Sequence, residues 1–394
     1  MAGEILVYGE IASLAIGLSP FALHRLSCFG WMNEELQIPS EDSDLPITVL
    51  LPVWNEGLII EKKLADLAKQ EIKSHLLIID SASNDDTVAK AKNWLSDYPD
   101  AFLSSNVIVM EKRLGKTAAV KQAIEALDDF KGIIVMTDAD AMIGDDSFLR
   151  IRKWFNNKQI GVVGGTPNRI GDISSEESHR EMYTTVRIAE SHYDSTPFLE
   201  GSIIAWRSNL LVSSDLYERS NADDAQIATA IRLKGFRAVQ DSDLTFVDQM
   251  PLTAKDQRRQ KVRRGQGLTR LLIRKRKYWF CRKQGRFSKV LRRNAMMHIL
   301  SPIAIFAMFL FGLIRVSLSD IESDLQLFMT ILESYFLLSW LFTRANKPVF
   351  GMRTVGTILT GLENLLIGML LATKGKSLHM WEQHGDVRIE ISKK

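Results

Sequence analysis

A chain of 394 residues with 46% hydrophobic and 25% charged residues is long enough for a sizeable core, and its composition excludes a disordered or low-complexity protein. Its formal charge of +3 hides an asymmetry, because residues 255–293 hold seventeen Lys and Arg against the single acid Asp256, leaving the rest of the chain net acidic. Cys28 and Cys281 alone exclude a disulfide framework and a CxxC metal centre, and they read as free thiols in a reducing compartment.

The first apolar stretch, 5–23, is too long and too weakly basic upstream for a cleaved signal, and no small-x-small site follows it. As a retained segment within residues 1–30 it either spans a bilayer or, with Gly9, Gly17 and Pro20, lies in the interface. Strand-like runs then follow at 47–51, 76–79, 107–110 and 133–136, alternating with helix-like stretches at 58–70, 87–96 and 116–127. This alternation predicts an α/β domain over 45–270, a doubly wound, mostly parallel sheet with helices on both faces. Ligands of such sheets bind at the carboxyl ends of the strands.

Those ends carry Pro52 through Glu56, Asp80 through Thr87, Arg113 through Lys116, and Asp138-Ala139-Asp140. Asp138 and Asp140, at i and i+2 in a turn, can converge on one Mg²⁺ or Mn²⁺ as hard oxygen ligands, or merely cap the next helix. Asp80 can accept from a base or ribose, or hold a polar loop whose Ser83, Asp85 and Thr87 cap a helix. Lys116 follows Gly115 at a helix start, where a cation and backbone N–H groups suit an anion, although a lysine there is also simply solvated. Asp223 and Asp224 precede an amphipathic helix. They either favour its N-terminus or provide a general base, one acid tuned by the other and by burial.

Next comes the basic block. Arg263 or Arg264 can clamp a diphosphate through the planar guanidinium fork. Residues 271–296 mix cations with Trp279, Phe280 and Phe287, as in a helix lying on anionic headgroups. Residues 297–373 hold three further apolar stretches, 299–318, 325–342 and 354–373, so the basic block meets a membrane rather than nucleic acid. Glu10, Glu333 and Glu363 fall near mid-depth, which calls for a protonated acid, a partner inside the bundle or a role at the acceptor. Basic residues place His24-Arg25, the block and Arg344, Lys347 and Arg353 in the cytoplasm if the chain starts outside, with the acidic link 319–324 on the outer side. The tail 374–394 then falls outside despite its lysines, a conflict that a re-entrant last segment removes.

In order, these motifs resemble the family 2 glycosyltransferases of GT-A fold, in the membrane-integrated branch of cellulose, chitin and hyaluronan synthases and ceramide glucosyltransferases. The resemblance covers 47–267. Leu51-Pro52-Val53-Trp54-Asn55-Glu56 looks like the P-x-x-N-E strand end, and Asp80 through Thr87 is similar to the D-x-x-S-x-D-x-T nucleotide loop. Gly115-Lys116 resembles the G-K segment, Asp138/Asp140 the metal-binding D-x-D, and Gly201 through Arg207, with Ser202, the acceptor-side G-x-x-x-x-x-R segment. Asp223-Asp224 sits where the family has Glu-Asp, whose second member is the base. Gln260 through Arg264 is similar to Q-x-x-R-W, with Arg263 as the donor-binding arginine and Arg264 in place of tryptophan. That tryptophan forms part of the platform for a growing sugar chain, so its absence argues against processive polymerisation, as does a C-terminal region of only three apolar segments.

The resemblance implies an integral membrane protein with a cytoplasmic catalytic domain that uses Mg²⁺ or Mn²⁺. It would transfer a sugar from a UDP- or GDP-linked donor to a hydroxyl of a lipid or lipid-linked glycan by inverting single displacement. Asp224 would take the acceptor proton, while the cation on Asp138/Asp140 and Arg263 would neutralise the leaving diphosphate. A hydroxyl needs a base and a lipid phosphate does not, which favours the former over a polyprenyl-phosphate acceptor. A processive polysaccharide synthase and a non-catalytic membrane scaffold compete with this expectation.

Overall fold

The computed structural model describes the chain apart from Met1, Glu35, 169–174, Met250, Leu252, Ser319, Pro348, 381–384 and Lys394, and gives backbone alone for Ala2, 175–182 and Asp386. After α1 (Ala2–Trp31) come β1 (Ile47–Val53), α2 (Ile60–Ala68), β2 (His75–Asp80), α3 (Thr87–Asp97), β3 (Ser104–Val109), α4 (Lys116–Ala126) and β4 (Ile133–Thr137). β5 (Met142–Ile143), α5 (Ser147–Asn156), β6 (Ile160–Pro167), α6 (Ser175–Tyr193), β7 (Ile203–Arg207), α7 (Asp223–Leu233) and β8 (Arg237–Val247) complete the sheet region. α8 (Ala254–Arg274), α9 (Arg286–Ala295), α10 (Ser301–Leu318), α11 (Asp324–Arg344), α12 (Arg353–Thr373) and α13 (Gly385–Lys393) follow. Two compact units result: Met1–Ser27 with Thr253–Phe280 and Leu291–Lys376, and Cys28–Leu252 with Cys281–Val290 and Ser377–Lys394.

The second unit holds an eight-stranded sheet in the order β3-β2-β1-β4-β7-β6-β8-β5. The expected run β1 to β4 is parallel throughout. Beyond β4 the sheet is mixed, because β7 pairs antiparallel with both β4 and β6. β1 is buried at every position since both its faces are covered: Val49, Leu51 and Val53 point to one core and Leu50 to the other. α2 and α5 fill the first core through Ile60, Leu64, Phe148 and Ile151, and α4 and α7 the second through Ala119, Ala123, Ile227 and Ile231. α13 belongs to this unit too, with Val387 and Ile391 in the first core.

In the other unit the mid-depth acids are partnered. Arg315 donates to both carboxylate oxygens of Glu10, at 2.6 and 3.1 Å, and lies 3.8 Å from Glu333, with Arg315 and Glu10 fully buried. Glu363 accepts from Arg258 (2.6 Å), Arg344 (2.5 Å) and Trp340 (3.1 Å). Among the described residues four helices are long and apolar enough to cross a membrane: Gly3–Trp31, Arg286–Leu318, Asp324–Arg344 and Arg353–Thr373. Removing one member of a buried ion pair costs about 3–5 kcal/mol because the other is left uncompensated. Arg315→Met should therefore lower the thermal unfolding midpoint in detergent, and adding Glu10→Gln should restore most of it.

Candidate active site

The turns after β1 and β2 are stitched together. Asn55, at φ +55°, donates from its backbone N–H to Ser83 Oγ (2.8 Å), and its side chain exchanges hydrogen bonds with Asn84 at 2.7 and 2.9 Å. The Glu56 N–H donates to Thr87 Oγ1 (2.7 Å), and the Gly57 N–H to Asp85 (3.1 Å). Asp80 is fully buried and accepts from the Ser83 N–H (2.9 Å) and hydroxyl, so in this structure it holds its own loop. Of the three capping residues expected for α3, Asp85 alone accepts from a first-turn N–H, that of Thr87 at 3.0 Å, while Ser83 and Thr87 tie the two turns together. Pro52 is buried inside β1, one residue from its end.

The turn after β4 meets the starts of α4 and α7. Gly115, at φ +96°, sets the N-terminus of α4, and Lys116 then reaches Asp138 Oδ1 at 2.6 Å and Asp223 Oδ2 at 3.4 Å. Thr117 Oγ1 donates to the Ser220 carbonyl at 2.7 Å, holding the approach to α7 beside α4. The Ser202 carbonyl accepts from Thr137 Oγ1 (2.8 Å) and from the Asp138 N–H (3.3 Å), locking the entry of β7 to the acid turn. Gly201 passes so close to Asp224 that a Cβ there would stand 3.1 Å from Asp224 Oδ2, so a side chain would displace the carboxylate. Asp138, Lys116, Asp223, Asp224, Gly201 and Ser202 thus form one cluster.

Charge within the cluster is uneven. Burial, and after it the neighbouring Asp223 carboxylate, pushes Asp224 up to about 7. Burial alone would lower the Lys116 ammonium, but Asp138 and Asp223 outweigh it and hold Lys116 above its ordinary value. Glu56 is raised to about 7 by burial, against the opposing pull of Arg388. Arg388 lies on α13 and donates to both Glu56 oxygens at 2.9 and 2.7 Å, and it is 2.8 Å from Asp140 Oδ2. Neither periodicity nor motif pointed to Arg388. The sequence signal was a shortage of positive charge, since Glu56, Asp80, Asp138 and Asp140 share one sheet edge with Arg113 and Lys116.

Arg207 lies away from this cluster. Arg207 pairs with Ile133 in the β4–β7 register, at the start of β4 and so at the opposite edge from Asp138. Its guanidinium donates to the carbonyls of Ile160 (2.9 Å), Phe155 (2.7 Å) and Asn157 (3.0 Å). Antiparallel pairing explains the separation: Ser202 and Arg207 enter and leave the same strand. Gln260, Arg263 and Arg264 lie on α8 in the other unit, the first two half-buried and Arg264 exposed.

Asp138 and Asp140 fit a hard divalent cation. Each carboxylate is already met by a cationic side chain, so the turn demands positive charge, and Mg²⁺ or Mn²⁺ is commonly held by one or two carboxylates with phosphate and water completing its shell. Among the described residues no group of three or more His, Cys, Asp or Glu is placed to hold a metal.

Residues 48–212 match the family model described as glycosyl transferase family 2. Among solved structures, the mannosyltransferase PcManGT from Pyrobaculum calidifontis, in complex with GDP-Man and Mn²⁺, is similar with a TM-score of 0.78 at 23% identity, over 94% of this chain and 100% of that one. S. aureus TarS (TM-score 0.42, 16% identity, 69% of this chain and 54% of that one) and glucosyl-3-phosphoglycerate synthase from Mycobacterium tuberculosis (0.40, 19%, 59% and 80%) are more remote. No curated protein matches the chain. The chain thus has a GT-A-like fold with four long apolar helices, and its residues 48–212 match the model of glycosyl transferase family 2.

Proposed function

We propose that the chain is a membrane-bound, inverting glycosyltransferase of the membrane-integrated branch, moving a sugar from a nucleotide diphosphate donor to a hydroxyl of a lipid or lipid-linked glycan at the cytosolic face. The observation that carries this reading is the meeting of Lys116 with both Asp138 and Asp223, which joins a diphosphate-side acid to the acid pair at the start of α7. Asp224 is the base: raised to about 7, it accepts the acceptor's proton at physiological pH as the hydroxyl oxygen attacks the anomeric carbon. Inversion follows from that single displacement. Lys116 holds the acid turn and the base pair in register, and Arg263 is the donor-binding arginine on α8. Asp138 and Asp140 would hold a divalent ion, which would supply electrostatic stabilisation of the leaving diphosphate. The similar Pyrobaculum mannosyltransferase is in complex with GDP-Man and Mn²⁺, which makes them the first donor and cation to try.

The tail favours one membrane arrangement. Ser377–Lys394 belong to the unit that contains the sheet, which supports a cytosolic tail and an even number of crossings within 291–376. α12, whose Glu363 is held by Arg258 and Arg344, is the re-entrant or interfacial member. This brings the tail to the cytosolic side rather than outside, removing the conflict in its charge.

The acceptor class is tested by incubating the detergent-purified protein with GDP- and UDP-sugars, Mn²⁺ and native lipid extract. One discrete glycolipid is expected, the newly formed bond being a glycoside that survives mild acid and mild alkali. A ladder of lengths contradicts the single-transfer reading, and a mild-acid-labile sugar phosphate at the newly formed bond contradicts the hydroxyl acceptor.

A further inference from the structure

We infer that Arg388 is a positioning residue that sets the cation affinity of the acid turn: its guanidinium is a tethered counter-charge on Asp140 that a divalent ion must displace. This rests on reading Asp138 and Asp140 as the cation ligands, and it extends that reading to a segment far from the glycosyltransferase domain in sequence.

Three features fix Arg388 in place. Val387 and Ile391, one residue before and three after it, are buried in the core beside α2 and α5, so α13 is anchored by apolar contacts on both sides of the arginine. Glu56 holds the guanidinium through two hydrogen bonds, and Lys62 Nζ donates to the Ile391 carbonyl at 3.0 Å, tying the end of the helix to α2. The tail also passes Gly115, where a Cβ would stand 3.0 Å from the His379 carbonyl oxygen, so the same segment borders the start of α4. Arg388 is itself buried, and its remaining nitrogen faces Asp140 Oδ2 at 2.8 Å. Asp140 thus carries a protein cation where a hard ion needs its oxygen. Glu56 gives Arg388 somewhere to remain when Asp140 is taken, so the exchange does not strand a buried charge.

Binding of Mn²⁺ to the full-length, detergent-purified protein without nucleotide, counted by the electron paramagnetic resonance of the free ion, reads this directly and needs no transfer reaction. Removing one positive charge at ion-pair distance from the site should tighten Mn²⁺ binding by about tenfold or more in Arg388→Gln. Arg388→Lys keeps the charge but loses the fork on both Glu56 oxygens, so its Mn²⁺ affinity should lie between those of the parent protein and R388Q. Unchanged or weaker binding in R388Q, or R388K as tight as R388Q, overturns the inference. If R388Q does not fold, Ile391→Ala loosens the same helix without touching a charge: tighter Mn²⁺ binding supports the inference, and unchanged or weaker binding overturns it. A protein that transfers sugar yet shows no Arg388 effect loses only this inference, whereas one with the Arg388 effect but no transfer loses only the catalytic reading.

Discussion

Asp224→Asn should lower kcat by about 10²–10⁴-fold, the usual contribution of a positioned general base, while donor affinity changes little. The amide keeps the shape of the side chain and its place beside Gly201 but cannot accept a proton from the attacking hydroxyl. The parent enzyme should also show a pH dependence whose sign follows from the raised acid. Burial, with the Asp223 charge second, places Asp224 at about 7, and the base works only when deprotonated. Log kcat should therefore rise with slope one below about pH 7 and level off above it. A profile already flat from about pH 5 would mean that Asp224 is not the base. Asp223→Asn removes the second cause of the shift and should move the inflection to lower pH. These rates are measured as nucleotide release at saturating donor and acceptor.

Chelation should abolish transfer, and Mn²⁺ or Mg²⁺ should restore it. Neutralising the leaving diphosphate with a Lewis acid is worth several kcal/mol, so the loss should be at least about 10³-fold. Asp140→Asn should reproduce most of that loss at low Mn²⁺ and less of it at high Mn²⁺, because one oxygen ligand is weakened while Asp138 remains. Calorimetric titration of donor binding with and without Mn²⁺ separates this from a folding defect: D140N should bind donor as the parent does without metal. Full activity after exhaustive chelation would remove the role assigned to Asp138 and Asp140.

Much of the sheet could be read from the chain because β1, β2 and β4 are buried apolar runs whose ends coincide with polar turns. β3, an edge strand whose side chains are all exposed or half-buried, was found from the short apolar run at its carboxyl end alone. The antiparallel insertion of β7 was not legible, since a five-residue apolar strand carries no sign of its direction. That direction decides Arg207: six residues beyond Gly201 along β7, it reaches the far edge and holds carbonyls there. The acids of the site were legible as residues, yet their counter-charges were not. Lys116 was placed at an anion site by its helix start, and the structure shows it between two carboxylates. Arg388 escaped because Val387-Arg388-Ile389-Glu390-Ile391 alternates with the period of a strand, although Val387 and Ile391 are spaced for one face of a helix. The partners of Glu10, Glu333 and Glu363 were anticipated as a class, since an acid at membrane depth needs one, but the arginines that supply them come from other helices.

The most direct test of the central claim is nucleotide release by the detergent-purified protein across a panel of GDP- and UDP-sugars, beginning with GDP-mannose, with Mn²⁺ and native lipid extract and with Asp224→Asn alongside. The expected result is release from one donor that requires both the cation and lipid, yields a single glycolipid and is lost in the mutant. Nucleotide binding without release above the mutant from any donor would contradict catalysis and leave a membrane protein that only holds nucleotide sugars.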